Sequence, residues 1–254
     1  VASEIRRRAG ADVVLEIMTR EDADLREPDA CAEQIAKTRA DVVLNAAAFT
    51  AVDEAETCEA LAMRINGDAP AAMARAAAAR GIPFLHISTD YVFDGSGSRP
   101  WREDDPPKPI SVYGCSKLLG ERGVRCAGGP HAILRTAWVH SAHGRNFVRS
   151  MLALASERRA LQIVDDQFGG PTPASQVAEA LLTIARRFAD GSGVSGVFHF
   201  AGVPVVSWRD FAVDIFGCAR SVQRPEITPI SSSERKSPAR RPKNSVLDCN
   251  KIAN

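Results

Sequence analysis

The stretch AAMARAAAARGIPFLHISTD, residues 71–90, decides the fold class of this protein. Its alanine-rich first half is typical of a helix, which Gly81 and Pro83 bring to an end. Residues 84–87 form a short apolar run typical of a buried strand, and the polar tripeptide STD, residues 88–90, follows it directly. A helix that leads into a buried strand is the repeating element of an α/β fold with a parallel sheet.

The same alternation continues on both sides of this stretch. Residues 1–8 look like the tail of a helix. Short β-branched runs predict strands at residues 12–18, 41–44 and 132–134, and alanine-rich or amphipathic runs predict helices at residues 31–38, 60–79, 112–122 and 208–216. This order predicts a Rossmann-like, doubly wound parallel sheet with a smaller C-terminal substrate domain.

Turns become frequent in the last third of the chain. We therefore expect a dinucleotide-binding domain over residues 1–142, whose sheet is completed by part of residues 160–205. Residues 143–254 are expected to form mainly the substrate-binding domain, on the carboxyl side of the sheet where open α/β folds bind ligands.

The glycine-rich phosphate loop of such folds has no counterpart in this sequence, which contains no G-x-G-x-x-G motif. Two explanations are open: the first strand and its loop precede Val1 in the natural chain, or the fold has no phosphate loop. We favour the first, because a parallel sheet that lacks its central first strand would expose a long apolar edge.

The composition excludes several classes of protein. The 254 residues carry 32 Lys+Arg against 31 Asp+Glu, so bulk charge indicates no polyanionic partner, and no nucleic-acid motif is present. No apolar stretch approaches the ~20 residues that span a bilayer, and no signal peptide is evident, so we expect a cytoplasmic protein without a membrane segment. The six scattered cysteines favour reduced thiols over three disulfides and offer no zinc-ligand spacing.

A tyrosine and a lysine suggest carbonyl chemistry. Tyr113 and Lys117 are four residues apart on a predicted helix and therefore share one face, while Thr89 lies at the end of a strand where catalytic groups collect. A free tyrosine has a pKa of about 10, and a nearby ammonium favours its phenolate; a shift of three units needs roughly 4 kcal/mol. The alternative is that Tyr113 is an ordinary half-buried tyrosine beside a solvated lysine. The Tyr–Lys spacing taken alone would favour this alternative.

A series of motifs resembles the extended short-chain dehydrogenase/reductase superfamily and, within it, the dTDP-4-dehydrorhamnose reductase family. The resemblance covers nearly the whole chain. The motifs are ISTDYVFDG (87–95), YGCSKLLGE (113–121), NAAAFTAVD (45–53), RTAWV (135–139), GRNF (144–147), DQFG (166–169) with PT (171–172), and RPKNSVLD (241–248).

The resemblance implies hydride transfer from NADPH or NADH to the C4 ketone of dTDP-4-dehydro-6-deoxy-L-mannose, which yields dTDP-L-rhamnose. It implies three catalytic residues: Tyr113 protonates the nascent alkoxide, Lys117 lowers the pKa of Tyr113 and binds the nicotinamide ribose, and Thr89 orients the carbonyl. Two alternatives stay open: a non-catalytic Rossmann regulatory or binding subunit, and a reductase of another nucleotide-linked 4-keto sugar. The complete Thr89, Tyr113 and Lys117 set favours an enzyme.

The residues after Thr89 bear on the reaction type. Related 4,6-dehydratases carry Asp-Glu after the threonine, whereas here Asp90 is followed by Tyr91, which favours simple ketone reduction. The resemblance implies that Asp90, Tyr91 and Trp138 lie in the hexose pocket. For Tyr91 and Trp138, ordinary packing between elements is the alternative.

On the cofactor side, the position after the second predicted strand has no acidic residue to bind a ribose 2′-hydroxyl. Arg20 stands there and can accommodate a 2′-phosphate, so our hypothesis is that NADPH is used at least as well as NADH. By resemblance, Asp24 and Leu25 contact the adenine side. Asn45 and the small residues after it leave room for the dinucleotide, unless they serve only helix–sheet packing; those small residues are Ala46, Ala47 and Ala48.

For the sugar nucleotide, Asn146 and Arg241 match family positions and are candidates for the diphosphate and sugar. A solvated basic loop at residues 235–243 is the alternative for Arg241. Some relatives form a magnesium-linked homodimer through glutamates, so a homodimer and Mg²⁺ stay open, but no glutamate of this chain can be assigned to that role. No other metal site is expected.

Overall fold

The computed structural model describes residues 1–219 and 224–253. The helices are α1 Ala2–Arg8, α2 Pro28–Lys37, α3 Val52–Ala55, α4 Glu59–Met63, α5 Ala69–Ala78, α6 Val112–Cys126, α7 Phe147–Glu157, α8 Ala174–Ala189, α9 Trp208–Cys218 and α10 Asn250–Ala253. The strands are β1 Val43–Asn45, β2 Phe84–Thr89, β3 His131–Thr136, β4 Val139–His140, β5 Ala160–Val164, β6 Phe168–Gly169, β7 Thr172–Pro173, β8 Gly196–His199, β9 Val206–Ser207 and β10 Glu226–Ile230.

The central sheet confirms the predicted α/β class. Its described strands run in the order β1-β2-β3-β8, and every neighbouring pair is parallel. Neighbouring residues of a strand point to opposite faces, so Ile133 packs with α2 and α5 whereas Leu134 packs with α1 and α8. Helices therefore cover both faces, as a doubly wound sheet requires.

The predicted helix over residues 60–79 is confirmed with one irregularity. Helices α4 and α5 are joined by a π-helical turn, Arg64–Asp68, which carries the buried Asn66. Single π turns inside helices occur mostly at functional sites, and the contacts of Asn66 are given below.

The later part of the chain contributes to the central sheet as well as to a second layer. Strand β8 lies within the predicted window of residues 160–205, and α8 packs against α1. Strands β5 and β10 form a separate parallel pair covered by the apolar faces of α7 and α9. Helices α7 and α8 were not predicted, since turn residues dominate the neighbouring sequence.

The strand predicted at residues 12–18 is wrong. A strand exists through hydrogen bonds to a neighbour, and this segment pairs with no strand of the described residues. Two of its apolar residues consequently face solvent, Val14 at 97% and Ile17 at 53% exposed, while Val13 and Met18 pack against the core. Strand β1, the edge of the described sheet, has only β2 beside it.

All six cysteines are free. No helix of the described residues has the length and apolar character needed to cross a membrane.

Candidate functional site

Helix α6 places the tyrosine and the lysine at the carboxyl edge of the sheet. Its first turn is set by Ser111, whose hydroxyl accepts a hydrogen bond from the backbone N–H of Gly114 at 3.2 Å. Tyr113 and Lys117 therefore fall on successive turns of one helix face, next to the end of β2 where Thr89 lies.

The hydroxyl groups of Thr89 and Tyr113 face each other. Thr89 also donates to Asp90 Oδ1 at 3.0 Å and accepts from the backbone N–H of Tyr91 at 3.2 Å, which holds its side chain in place. Burial raises the pKa of Tyr113 to about 12, and the negative charge of Asp90 adds to the rise. In this state Tyr113 is a protonated donor.

The amine of Lys117 is buried and turned toward the sheet. It donates to the backbone carbonyl of Ile87 at 2.7 Å, and its Nζ lies 3.3 Å from Nε2 of His86. Burial lowers the pKa of Lys117 to about 8. The expectation that Lys117 lowers the pKa of Tyr113 stays a prediction: in the structure burial dominates the pKa of both groups, and Lys117 bonds to β2.

Two glycines of α6 allow this close packing. A Cβ on Gly114 would lie 2.2 Å from the carbonyl oxygen of Tyr91, and a Cβ on Gly120 would lie 2.1 Å from that of Asn66. The Asn66 side chain in turn bonds to both backbone groups of Phe49 and to the hydroxyl of Ser116. The π turn thereby ties α6 to the loop that follows β1.

A buried ion pair attaches α6 to the sheet from the other side. Arg135 donates to both oxygens of Glu121, at 2.8 and 2.6 Å, and each side chain is only 2% exposed. The hydroxyl of Ser88 donates to the same carboxylate at 2.5 Å. This network holds the helix that carries Tyr113 and Lys117.

Tyr91 and Arg241 meet beside the catalytic candidates. The Tyr91 ring contacts the Tyr113 ring edge-on, with centroids 5.4 Å apart, and its hydroxyl lies close to the guanidinium of Arg241. The guanidinium of Arg241 also donates to both oxygens of Asp53, at 3.0 and 2.8 Å. Arg241, through this hydrogen bond, holds the pKa of Asp53 down at about 2.

Trp138 lies in a separate aromatic group. It has a φ of 50°, the only positive value for a non-glycine residue among those described, and stacks on Trp208 with centroids 3.5 Å apart. A Cβ on Gly169 would lie 2.6 Å from the Trp138 ring. Strained backbone of this kind concentrates at ligand sites, while its stacking equally serves packing.

The residues that follow β1 fit a dinucleotide. Ala46 to Ala48 carry no side chain beyond Cβ and are half-buried or exposed, so the backbone there is open to approach. Asn45 points inward: its Oδ1 accepts from the N–H of Ala47 at 3.1 Å, and its Nδ2 lies 3.3 Å from Nδ1 of His86.

Three further cofactor candidates sit in an outlying turn and make no described contact with Thr89, Tyr113 or Lys117. Arg20 is 69% exposed, with its Nε 3.3 Å from Asp24 Oδ2. Arg26 bonds to the same carboxylate and holds the pKa of Asp24 well below its usual range. Leu25 packs against the core around α2.

Asn146 is not placed with the other candidates. It caps α7: its Oδ1 accepts from the N–H of Arg149 at 3.2 Å, and its Nδ2 donates to the carbonyl of Ser141 at 2.8 Å. Both ends of the amide are therefore engaged within its own loop.

The sequence reasoning missed His86, Asn66, Glu121 and Asp53. The sequence offered no signal for His86, because only the strand register of the folded sheet places it directly opposite Asn45. For Asp53, whose partner Arg241 is 188 residues away, spacing offered no signal. Among the described residues, no group of three or more His, Cys, Asp or Glu side chains could hold a metal ion.

The chain is similar in sequence to a known family of reductases. Residues 1–254 match the model of the family described as RmlD substrate binding domain. A dTDP-4-dehydrorhamnose reductase of Burkholderia thailandensis is 45% identical over 240 residues, which cover 91% of this chain and 80% of that protein.

Solved structures agree with the sequence relatives. A dTDP-4-dehydrorhamnose reductase from Clostridium acetobutylicum superposes with a TM-score of 0.90 at 36% identity, covering 98% of this chain and 86% of that one. The Bacillus anthracis enzyme, in complex with NADP, superposes with a TM-score of 0.92 at 28% identity, covering 99% and 87%.

Proposed function

Because the chain belongs to the dTDP-4-dehydrorhamnose reductase family, we propose that it reduces the C4 ketone of dTDP-4-dehydrorhamnose to the alcohol of dTDP-L-rhamnose. NADPH supplies the hydride; the NADP complex of the Bacillus anthracis relative and the exposed Arg20, which is paired with Asp24 but accessible to a 2′-phosphate, support this choice. A ketone that gains a hydride also needs a proton, and the residues of this chain supply it.

We infer the following roles. Tyr113, which is protonated and lies beside Thr89, donates its proton to the oxygen of the reduced carbonyl. Thr89 orients that oxygen, since its hydroxyl is held by Asp90 and by the backbone of Tyr91. Lys117 lies on the same face of α6, where its amine, held by the carbonyl of Ile87, can still donate a hydrogen bond to the nicotinamide ribose.

The observation that carries the proposal is that the Thr89 and Tyr113 hydroxyls face each other beside a buried carboxylate oxygen of Asp90 that lacks a hydrogen-bond partner. Asp90 Oδ2 is buried and has no partner within the described part of the chain. An unmet buried acceptor suits a hydroxyl group of a bound sugar.

The test is loss of NADPH absorbance with the dTDP-4-keto sugar generated in situ, repeated with NADH. We expect Tyr113→Phe to lower kcat by roughly 100-fold or more, because it removes the general acid while keeping the ring. Tyr91→Phe is the matched control, since the chain has two tyrosines and their rings touch; it should lose at most about tenfold. An inactive wild type, or a Tyr113→Phe variant that keeps most of its rate, contradicts the proposal.

A cytoplasmic location and a homodimer are further proposals. The free cysteines support a reducing compartment. Fractionation and light scattering test the two points.

A further inference from the structure

His86 has no part in the mechanism above, although it touches Lys117. It lies in β2, is fully buried, and sits directly opposite Asn45 of β1 in the parallel register. Its two ring nitrogens face two different groups: Nδ1 lies 3.3 Å from Asn45 Nδ2, and Nε2 lies 3.3 Å from Lys117 Nζ. A chain of contacts thus runs from the strand on the cofactor side to the lysine.

The orientation of Asn45 decides where the imidazole carries its proton. A backbone N–H can only donate, so the Asn45 atom that faces the N–H of Ala47 at 3.1 Å is the oxygen. The other end of the amide is therefore an NH₂ group, which donates to His86 Nδ1. A neutral imidazole with Nδ1 as acceptor carries its hydrogen on Nε2.

The proton on Nε2 points at Lys117 and restricts its protonation state. An amine accepts that hydrogen through its lone pair and still donates to the carbonyl of Ile87. An ammonium has no lone pair. If Lys117 is protonated, either its contact with His86 or the contact between His86 and Asn45 is lost, so every hydrogen bond forms only with the neutral amine.

We propose that His86 is a positioning residue for the reductase site: locked by Asn45 with its hydrogen on Nε2, it donates to Lys117 and favours the neutral amine. His86 is not a catalytic residue, because it reaches the reacting atoms only through Lys117. The catalytic role of His86 rests on the proposed reductase function. The hydrogen-bond geometry around His86 does not depend on that function.

Other charged groups near Lys117 also influence its protonation state. Glu121, one turn further along α6, favours the ammonium, but its carboxylate is engaged by Arg135 and Ser88. Asp90 faces Tyr113 rather than Lys117. Burial of Lys117, whose pKa lies at about 8, acts in the same direction as the hydrogen bond from His86.

The first experiment reads the tautomer directly. Nitrogen-15 NMR of the cofactor-free protein with labelled histidine distinguishes a ring with hydrogen on Nε2 from one with hydrogen on Nδ1. The His86 signals are assigned by their absence in His86→Phe, or by their cross-peaks to Ile87 should that variant not fold. We expect hydrogen on Nε2 across neutral pH; hydrogen on Nδ1 overturns the proposal.

The second experiment measures the titration of Lys117 with labelled lysine, comparing wild type with His86→Phe, which keeps a ring of similar size. Loss of the donor should raise the pKa of Lys117 by about one unit, a tenfold change in acid dissociation. His131→Phe is the matched control, since His131 contacts Gly129 and Ser195 and should leave the titration unchanged. If folded His86→Phe has the same Lys117 pKa as the wild type, the proposal is overturned.

A third measurement, the pH profile of kcat, distinguishes failure of this proposal from failure of the proposed function. If the wild type reduces the keto sugar, the pH profile of kcat should shift to higher pH in His86→Phe, whereas a merely structural role would lower the rate equally at every pH. If the wild type shows no reductase activity, the two NMR experiments still decide the role of His86.

Discussion

Asp90 shows how a single residue of the site opposes the stability of the fold. Its carboxyl is 2% exposed, one of its oxygens lacks a partner within the described residues, and burial raises its pKa to about 6. A raised pKa means that the folded protein binds this proton more tightly than the unfolded chain does. The stabilising contribution is therefore complete below about pH 4 and is lost as the pH rises through 6.

We expect Asp90→Asn to raise the free energy of unfolding at pH 8, because asparagine cannot ionise. The gain should approach about 3 kcal/mol, the equivalent of a shift of roughly two units, and should be about half as large at pH 5. Urea unfolding at the two pH values measures it. The pKa of Asp94 is lowered by hydrogen bonds from Ser96, so Asp94→Asn should give no such gain. A pH-independent difference for Asp90→Asn would contradict this account.

At the scale of elements, α6 is the part on which the site depends. It carries Tyr113 and Lys117, begins at the Ser111 cap and is anchored to β3 by the pair of Glu121 and Arg135. A buried ion pair contributes little net stability, because desolvation opposes the attraction, but breaking it leaves an uncompensated charge. The pair therefore specifies where α6 lies more than it strengthens the fold.

We predict that Glu121→Ala lowers the free energy of unfolding by roughly 3–5 kcal/mol, since Arg135 is left charged and buried. The double variant Glu121→Leu/Arg135→Met, which removes both charges and keeps the volume, should recover most of this loss. Denaturant unfolding of both variants measures the difference. Equal losses in the single and double variants would show that volume, not charge, governs the site.

At the scale of the whole molecule, ion pairs connect the first part of the chain with the last. Arg241 reaches back to Asp53 just inside α3, and the neighbouring Lys243 bonds to Asp166 at 2.9 Å. The loop that carries Arg241 is thereby held against the end of β2, next to Tyr91. Arg241 therefore has two candidate roles: it binds the substrate, or it only holds its loop in place through the ion pair with Asp53.

On the proposal that Arg241 is a charged donor for the diphosphate, we expect Arg241→Ala to raise the KM of the sugar nucleotide about tenfold. Asp53→Asn keeps the Arg241 charge and should raise KM only two- to threefold, by roughly 0.5 kcal/mol. Steady-state kinetics of the two variants, with KM for NADPH as the internal reference, measure the contrast. Equal effects would mean that Arg241 acts only through its pair with Asp53.

The sequence predicted the helices and strands well where local pattern decides them. The boundaries of β2, β3, α6 and α9 lie within about four residues of expectation. The segment 12–18 failed because a strand needs a partner, which alternating hydrophobicity does not supply. Asn146 occupies a motif position, yet its amide caps α7, since motif membership does not specify which way a side chain points.

The sequence by itself determined the α/β class and the shared helix face of Tyr113 and Lys117, because both follow from short-range periodicity. Only the tertiary structure decided that Lys117 meets His86, that Asn45 orients that imidazole, and that Arg241 pairs with Asp53. Those contacts depend on strand register and on the packing of α6 against the sheet, which bring together residues between 31 and 188 positions apart.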